Sequence, residues 1–576
     1  MQNTISRRVV TDTVELPDDV HPVLRRIYST RDIKSIAELD YSLSGLLPYH
    51  SLLGINQAVE LLADGLARNK RFLIVADFDA DGATSCALAV RGLRLMGATD
   101  VRYVVPNRFE YGYGLSPEIV EVAAQQQPDI LITVDNGIAS IEGVKLARSK
   151  NIDVLITDHH LSGDRLPEAN TIVNPNQQND GFPSKNLAGV GVMFYILMAL
   201  RAYLREQDWF VERDILEPRL AELLDLVALG TVADVVPLDH NNRILVAQGL
   251  ARIRSGRCCP GIKALLRIAR RSPHRITAQD LAFAIGPRLN AAGRLTDMSL
   301  GIECLLCDDE LDAGKMAKEL DQLNRERREI QEDMQDQAMA IIDAVDLSRD
   351  QRMPSGLCLF DDTWHQGVVG IVASKIKDKL HRPVIVFARD TEGRIKGSAR
   401  SVSKVHIRDL LDMIACHNPG LIDKFGGHAM AAGLTMKECN LEQFKKVFDQ
   451  KVSEFVSEGD FGNTVLTDGE LFPDEMNIEL AETIINAGPW GHGFPEPVFE
   501  GQFEIVDSKI VGAKHLKMHL RTNGHDNIIE AIAFNSIEGD WVNTAREVQT
   551  VYKLDINEYA GRQKLQLVID YIAPLD

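Results

Sequence analysis

Strands and helices alternate regularly through the first half of this chain. Apolar runs at 72–75, 101–105, 130–134 and 154–157 have strand length, and amphipathic segments at 83–96, 115–126 and 138–149 separate them. Unbroken apolar strands joined by helical crossovers predict a parallel sheet covered on both faces. From there to about Cys307 the pattern is mainly helical, with one helix at 220–229 leading into Asp234.

Residues 312–345 differ. Met316, Leu320, Leu323, Ile330, Met334 and Ile341 recur at helical spacings among many charges. A dimeric coiled-coil seam is one reading, but Arg327 falls at a seam position, and a single connecting helix fits better. A second α/β unit follows, with strands at 357–360, 383–387 and 395–401 and helices at 367–377 and 409–416. From residue 464 five short strands, at 502–510, 515–520, 528–534, 548–554 and 565–572, predict an antiparallel closed barrel of the OB-fold kind. The expected division is an N-terminal extension (1–50) packed on the first domain, a parallel-sheet α/β domain (51–311), the connecting helix (312–345), a second α/β domain (346–459) and the barrel (460–576).

A length of 576 residues requires several hydrophobic cores. The most apolar helical stretch, 190–200, is too short to span a bilayer, so no membrane partner is expected. The first residues carry paired arginines without an apolar run or cleavage site, so no secretory signal is expected and the protein is assigned to the cytoplasm. Eight cysteines form no framework, and Cys304-Leu305-Leu306-Cys307 has no second pair nearby, so these are read as helical thiols. The net charge of −20 argues against indiscriminate coating of nucleic acid. Yet residues 241–275 hold nine Arg or Lys and no Asp or Glu, and residues 375–408 hold ten basic and three acidic side chains. A solvated helix face accounts for either run alone. The second also contains Lys396-Gly397-Ser398-Ala399-Arg400-Ser401, where small residues alternate with cations on a strand, as in a phosphate-binding surface.

The chemistry concentrates at strand ends. Asp77-Phe78-Asp79-Ala80-Asp81-Gly82, Asp135-Asn136 and Asp158-His159-His160 each follow an apolar strand run, and Asp234 follows a helix. Strand C-termini in a parallel sheet lie together, so these groups converge in one crevice. Six carboxylates and two imidazoles there repel one another without a cation, and hard oxygens with one or two imidazoles suit Mn²⁺ or Mg²⁺. Alternation of Asp77, Asp79 and Asp81 on extended backbone would place all three carboxylates on one side. No ligand pattern after Gly82 supports a calcium helix-loop-helix. Asp135 is placed to bridge two ions roughly 3.5–4 Å apart. His159 is read as a ligand and His160 as facing the scissile phosphate. Asp158 either ligates or orients a histidine.

The motifs Val75-Ala76-Asp77-Phe78-Asp79-Ala80-Asp81-Gly82, Val134-Asp135-Asn136-Gly137, Asp158-His159-His160, Gly230-Thr231-Val232-Ala233-Asp234 and Phe425-Gly426-Gly427-His428, in that order, resemble the DHH phosphoesterase superfamily. Within it, length and domain order resemble its bacterial single-strand-specific DNA exonucleases. The resemblance implies a DHH catalytic domain, a DHH-associated domain and a terminal OB-fold. It implies that Asp79 and Asp135 hold one ion, while Asp81, Asp135, His159 and Asp234 hold the other. The implied activity is 5′→3′ hydrolysis of single-stranded DNA by a monomer in recombinational and mismatch repair, beside a helicase and a single-stranded-DNA-binding protein. Ser398, Arg400 and His428, with Arg108, Arg288 and Arg294, are expected to line the phosphate path of a strand threaded between the two α/β domains. His515, Lys517, Arg521, Lys553, Tyr559, Arg562 and Lys564 are expected barrel contacts. Two alternatives use the same motifs: a phosphodiesterase for short oligonucleotides or cyclic dinucleotides, and a non-catalytic single-strand-binding scaffold. The barrel counts against the first, the intact ligand set against the second.

Overall fold

Strand β1 (Thr4–Arg7) opens the chain, and the apolar runs form a parallel sheet of β2 (Phe72–Ala76), β3 (Val101–Val104), β4 (Ile130–Val134), β5 (Asp153–Thr157) and β6 (Thr171–Val173), in the order β3-β2-β4-β5-β6. This computed structural model describes the backbone of residues 4–10, 16–106, 114–347, 353–390, 393–456, 464–512, 514–522, 524–525, 527–534, 536, 545–559 and 561–575. Arg108 and the side chain of Tyr559 lie outside the described residues. Every residue of β2 and β4 is buried, so both faces of the sheet are covered. On one face Leu73, Val75, Leu131, Val154 and Ile156 pack with Ile119, Val120, Val144 and Ala147 of the helices Pro117–Gln125 and Ile141–Ser149. Each Val, Leu or Ile among them contributes about 1.5–3 kcal/mol on burial.

The helices Ala80–Leu95 and Gly189–Glu206 approach so closely that a Cβ on Gly92 would lie 2.4 Å from Leu197 Cδ1. The largely apolar helix Leu224–Ala233 is buried along nearly its whole length, Asp225 and Thr231 included. Its last turn extends past the expected end at 229, so Asp234 caps a helix instead of sitting in a loop.

The chain divides into two compact units. One comprises Ile5–Asp321 together with Val465–Asp576, and the other is built on Gln322–Thr464. The second holds a mixed sheet of β7 (Leu357–Phe360), β8 (Val384–Arg389), β9 (Arg394–Arg400), β10 (Lys424–Gly427) and β11 (Ala431–Lys437), ordered β10-β11-β9-β8-β7, with only β7 and β8 parallel. The helix Val369–Leu380 covers one face, and Ile407–His417 with Leu441–Ser453 covers the other. Glu310–Leu347 is one continuous helix. Its Met334, Ala338 and Ile342 pack into this unit's own core, and Arg327 is buried, donating to Asn324 and Gln331. Part of the stripe is therefore covered within the chain, while Ile341 stays exposed.

Strand β12 (Thr464–Thr467) pairs with β1. Beyond it lies a helix, Ile478–Ala487, that the strand pattern did not predict. Then β13 (Phe499–Val511), β14 (His515–Thr522), β15 (Ile528–Ala533), β16 (Glu547–Tyr559) and β17 (Arg562–Pro574) pair in the ring β13-β14-β15-β17-β16. The expectation of antiparallel pairing throughout is corrected: β15 and β17 run parallel, because the chain leaves β15, forms β16 across β13, and returns.

The N-terminal extension touches the first domain through Leu47 N–H to Asn241 and Gln248 to Tyr41. It packs equally on residues after 464. Arg31 forms a buried ion pair with Asp468, Nη1 and Nη2 lying 2.5 and 2.9 Å from its two oxygens. Tyr28 stacks with Trp490 and Phe494.

Candidate metal centre

Register places the acids. In the parallel ladders Ala76 stands opposite Val134, Val134 opposite Thr157, and Thr157 opposite Val173. The next residues on three adjacent strands are Asp77, Asp135 and Asp158. Their N–H groups continue the ladders, donating to the carbonyls of Val134, Thr157 and Val173. From β2 the chain crosses to β3 on one side, while β4 and β5 extend the sheet on the other, so this row lies at the switch point where open α/β sheets bind ligands.

The alternation expected for Asp77, Asp79 and Asp81 does not occur on extended backbone. The strand ends at Ala76, Asp79 is the N-cap of the following helix with Oδ1 accepting from Gly82 N–H at 3.0 Å, and Asp81 lies in its first turn. A Cβ on Gly82 would lie 2.4 Å from the Asp77 carbonyl, so glycine serves close approach here. Asp81 points inward, where its oxygens accept the N–H groups of Gly189 and Val190 at 2.6 and 3.0 Å. These are unpaired donors at a helix N-terminus, which favours an anion.

The result is three overlapping groups. Ligand atoms of Asp77, Asp79 and Asp135 lie within 4.8 Å of one another, as do those of Asp81, His159 and Asp234, and those of Asp135, His159 and His160. Asp135 belongs to two groups, as a bridging carboxylate must. Its φ of 62° is left-handed, and such strain at a ligand persists only when the surroundings enforce it. Here a Cβ on Gly189 would lie 2.6 Å from Asp135 Cβ. Val235, directly after Asp234, has φ 59°, a conformation few β-branched residues adopt.

Electrostatics test whether cations fit. Burial and then the charge of Asp79 push the Asp81 carboxyl up to about 7. Burial and the neighbouring aspartates push Asp135 and Asp234 well above the ordinary range. His159 is driven down to about 4 by burial and by His160, so it is neutral. Its Nε2 is buried, makes no hydrogen bond, and lies 3.1 Å from Asp135 Oδ1 and 3.4 Å from Asp234 Oδ2. A lone pair facing ionised carboxylate oxygens at that distance is repulsive unless a proton or a metal cation lies among them. The donor set, oxygen-rich with imidazole and without thiolate, suits hard divalent ions.

Asp158 does not join the ligands. Buried, it accepts from the N–H groups of Ile138, His159 and His160 and lies 2.8 Å from His160 Nδ1. Burial alone would raise its pKa, but the His160 hydrogen bond and charge outweigh that and hold it below the ordinary value. Asp158 reciprocates: burial opposes a charge on His160, yet the pair with Asp158 raises it to about 9. Asn174 and Asn176 grip the carbonyls of His160 and His159 at 2.9 and 2.6 Å, and Asn290 accepts from Ala80 N–H. Sequence reasoning missed these asparagines and the glycine at 189. Asn290 stood inside the segment singled out for its arginines.

The structure places the other expected residues as follows. Arg288 is held at 2.9 Å by Asp321, so it ties two helices together. Arg294 lies half-buried in the last turn of the helix Gly286–Leu295. Ser398 and Arg400 share one face of β9: Arg400 Nη1 donates to Ser398 Oγ at 3.0 Å and Nε to Ser374 Oγ at 3.2 Å. Among the described residues no carboxylate pairs with Arg400, and burial pushes its guanidinium down. His428 is exposed in the turn between β10 and β11, where its N–H donates to Ala431. In the barrel, Lys517 and Lys564 lie 2.7 and 3.0 Å from Glu530, Arg521 3.2 Å from Glu504, and Lys553 3.2 Å from Glu496. His515 packs edge-on against Phe534, and Arg562 begins β17.

Three family models match in order: the DHH family N-terminal domain over residues 71–231, the DHHA1 domain over 354–454 and the RecJ OB domain over 467–571. The chain is 51% identical over 575 residues to the single-stranded-DNA-specific exonuclease RecJ of Salmonella typhimurium, covering all of both chains. The chain belongs to the RecJ family. Its fold is similar to the crystal structure of RecJ from Thermus thermophilus in complex with Mn²⁺, with a TM-score of 0.79 at 29% identity over 97% of this chain and 76% of that one. The complex of that RecJ with Mg²⁺ gives 0.73 at 28% identity, over 97% and 75%. Membership of the RecJ family accounts for the OB-like module as well as the DHH and DHHA1 domains. Among the described residues no helix is long and apolar enough to cross a membrane, and the metal-seeking groups contain no cysteine.

Proposed function

We propose that this protein is a single-stranded-DNA-specific exonuclease that hydrolyses phosphodiester bonds from the 5′ end with two divalent ions, Mn²⁺ or Mg²⁺. The observation that carries it is the clustering of Asp77, Asp79, Asp81, Asp135, His159, His160 and Asp234 into overlapping ligand groups linked through Asp135 and His159, in a chain half-identical to a RecJ exonuclease along its whole length. Asp77, Asp79 and Asp135 would hold one ion, and Asp81, Asp135, His159 and Asp234 the other. When bound, such ions neutralise charge on the transferring phosphoryl oxygens and make water acidic enough to attack phosphorus.

The remaining work falls to the protein's own groups. The dyad of Asp158 and His160 keeps a proton on the imidazole, leaving Nε2 to donate to a phosphoryl oxygen. Ser398 and Arg400 grip the backbone through a guanidinium that no carboxylate among the described residues neutralises; arginine presents paired donors to phosphate. The OB-like module binds the strand before it reaches the cleft. Its Lys517, Arg521, Lys553 and Lys564 exchange carboxylate partners for phosphates, so each adds little alone. The domain division expected above, a monomeric state, a cytoplasmic place, and work beside a helicase and a single-stranded-DNA-binding protein in recombinational and mismatch repair complete the proposal.

Product analysis on 5′- and 3′-labelled single strands with Mn²⁺ or Mg²⁺ tests it. The expected result is early release of labelled mononucleotide from the 5′-labelled strand and little attack on blunt duplex. Release from the 3′ end first, or equal rates on duplex, would overturn it.

A further inference from the structure

Against the helix His240–Arg254 lies a pocket of about 150 Å³ that takes no part in the metal centre. Three parts of one compact unit meet there: Tyr41 of the N-terminal extension, Arg254 and Gln279 of the first domain, and Trp490 and Glu496 of the C-terminal module. Leu250 and Trp490 give it buried apolar walls. Its polar groups are few. Tyr41 Oη is buried and makes no hydrogen bond. Arg254 is half-buried, its Nε donates to the Ile276 carbonyl at 3.0 Å, and among the described residues no carboxylate pairs with it. Glu496, by contrast, is balanced: Gln279 Nε2 donates to its Oε2 at 2.6 Å, and Lys553 Nζ lies 3.2 Å from the same oxygen. The pocket thus holds one uncompensated cation and one orphaned hydroxyl, and buried polar groups are ordinarily paired.

We infer that this pocket binds one free pyrimidine nucleoside 5′-monophosphate. Apolar walls with a few convergent polar groups are the usual make-up of a small-ligand site. A cavity of this volume accepts benzene, so a six-membered pyrimidine ring fits and the fused rings of a purine do not. Arg254 offers paired Nη donors to the phosphate, and the Tyr41 hydroxyl supplies a further donor. Glu496 offers an acceptor of the kind that takes the exocyclic amine of cytosine. A nucleic-acid strand is the less fitting occupant. Surfaces for a strand follow successive phosphates with a groove of positive charge, whereas here a single unpaired cation matches a single phosphate. The ligand is of the class that the proposed hydrolysis releases, and only its cellular source depends on that reading. Bound there, a released nucleotide would fasten the C-terminal module to the first domain as product accumulates.

Isothermal titration calorimetry of the full-length protein in EDTA tests this with dCMP, in the absence of turnover. One saturable site per chain is expected. Affinity should fall about fivefold in Tyr41→Phe, which removes only a hydroxyl without a partner and so keeps the fold, and roughly tenfold or more in Arg254→Gln. It should be unchanged in Arg400→Ala, and roughly tenfold or more weaker for dAMP and for deoxycytidine, which lacks the phosphate. Absence of dCMP binding, wild-type affinity in both pocket variants, or equal affinity for dAMP or for deoxycytidine would each overturn the inference. Loss of binding in Arg400→Ala would overturn it too, by placing the nucleotide in the phosphate path. So would an oligodeoxycytidylate that displaces dCMP and loses affinity equally in Arg254→Gln, by making the pocket part of the strand's track. Binding is read without metal or hydrolysis, so its failure leaves the exonuclease reading standing, and failure of that reading leaves the binding result standing.

Discussion

Asn290 Oδ1 accepts a hydrogen bond from the backbone N–H of Ala80 at 2.7 Å, fastening the helix Gly286–Leu295 to the strand-to-helix turn that carries Asp77, Asp79 and Asp81. Three residues on, a Cβ at Gly293 would lie 1.9 Å from the Phe78 carbonyl, so the same helix face holds the loop by close approach. Asn290→Ala should lower stability by about 1–2 kcal/mol, the loss of one partly buried acceptor. It should lower activity roughly 10–100-fold, as removal of a partner that orients metal ligands does. Asn290→Asp keeps the acceptor and should recover stability while changing the ion concentration needed for half-maximal activity. Thermal melts and Mn²⁺ titrations of activity check both.

Asp135 is where function and stability pull apart. Asp135→Asn should remove activity on the order of 10³-fold or more, since several kcal/mol of ion-based catalysis depend on this carboxylate. The same substitution removes a charge that burial and then the neighbouring aspartates oppose, and asparagine tolerates the left-handed backbone at this position. The metal-free variant should therefore melt at a higher temperature than metal-free wild type. A lower melting temperature would show that repulsion at Asp135 is not what limits the metal-free fold.

The pH dependence of the metal-free protein has a worked sign. Asp81, Asp135 and Asp234 have folded pKa values above the ordinary aspartate value, about 7 for Asp81, and His160 is raised to about 9. The folded state thus holds protons that the unfolded chain has released, and stability falls as pH rises. His159, lowered to about 4, acts oppositely, but only below its ordinary value near 6.5. Between about pH 6.5 and 9 the raised groups act without that opposition. Melting temperature in EDTA should drop from pH 6.5 to 9, and the rise on adding Mn²⁺ should be larger at pH 8.5 than at pH 6.5.

Arg400 offers a distinction between charge and shape. Arg400→Ala should raise KM for single-stranded DNA on the order of tenfold, and Arg400→Lys should recover only part of it, because lysine lacks the forked donors. Steady-state kinetics at fixed salt make the comparison. Equal behaviour of Arg400→Lys and wild type would show that charge alone suffices there.

Asp468 joins the C-terminal module to the N-terminal extension through buried Arg31. Asp468→Ala strands that cation and should destabilise the protein by about 3–5 kcal/mol, read from denaturant unfolding. Cutting the chain before residue 464 would have the same fault, so the module's DNA role is better tested by charge. Reversing Lys517, Arg521 and Lys564 together should weaken binding to a long oligonucleotide and reduce its salt slope by about one for each phosphate no longer neutralised.

Much of this protein is readable from its sequence alone. Apolar runs of strand length, three of the four leading into aspartate, determine a parallel sheet with its chemistry at the strand ends, because hydrophobic periodicity and strand length are local properties of the chain. Asp79, Asp81, Asp135 and His159 stand out for that reason, and Asp234, after a helix, by the motif it ends. What only tertiary structure decided is which groups meet. Parallel register set Asp77, Asp135 and Asp158 in one row, and a helix start at Gly189, more than a hundred residues away, turned Asp81 inward. Ladder pairing and close backbone approach are long-range, so no spacing in the sequence reports them. The same holds for Asp158, whose role as anchor of His160 depends on three N–H groups converging on it. It holds also for Arg288 and the barrel lysines, whose partners come from elsewhere in the chain. A cation is visible in sequence, but whether a carboxylate already occupies it is a property of the fold.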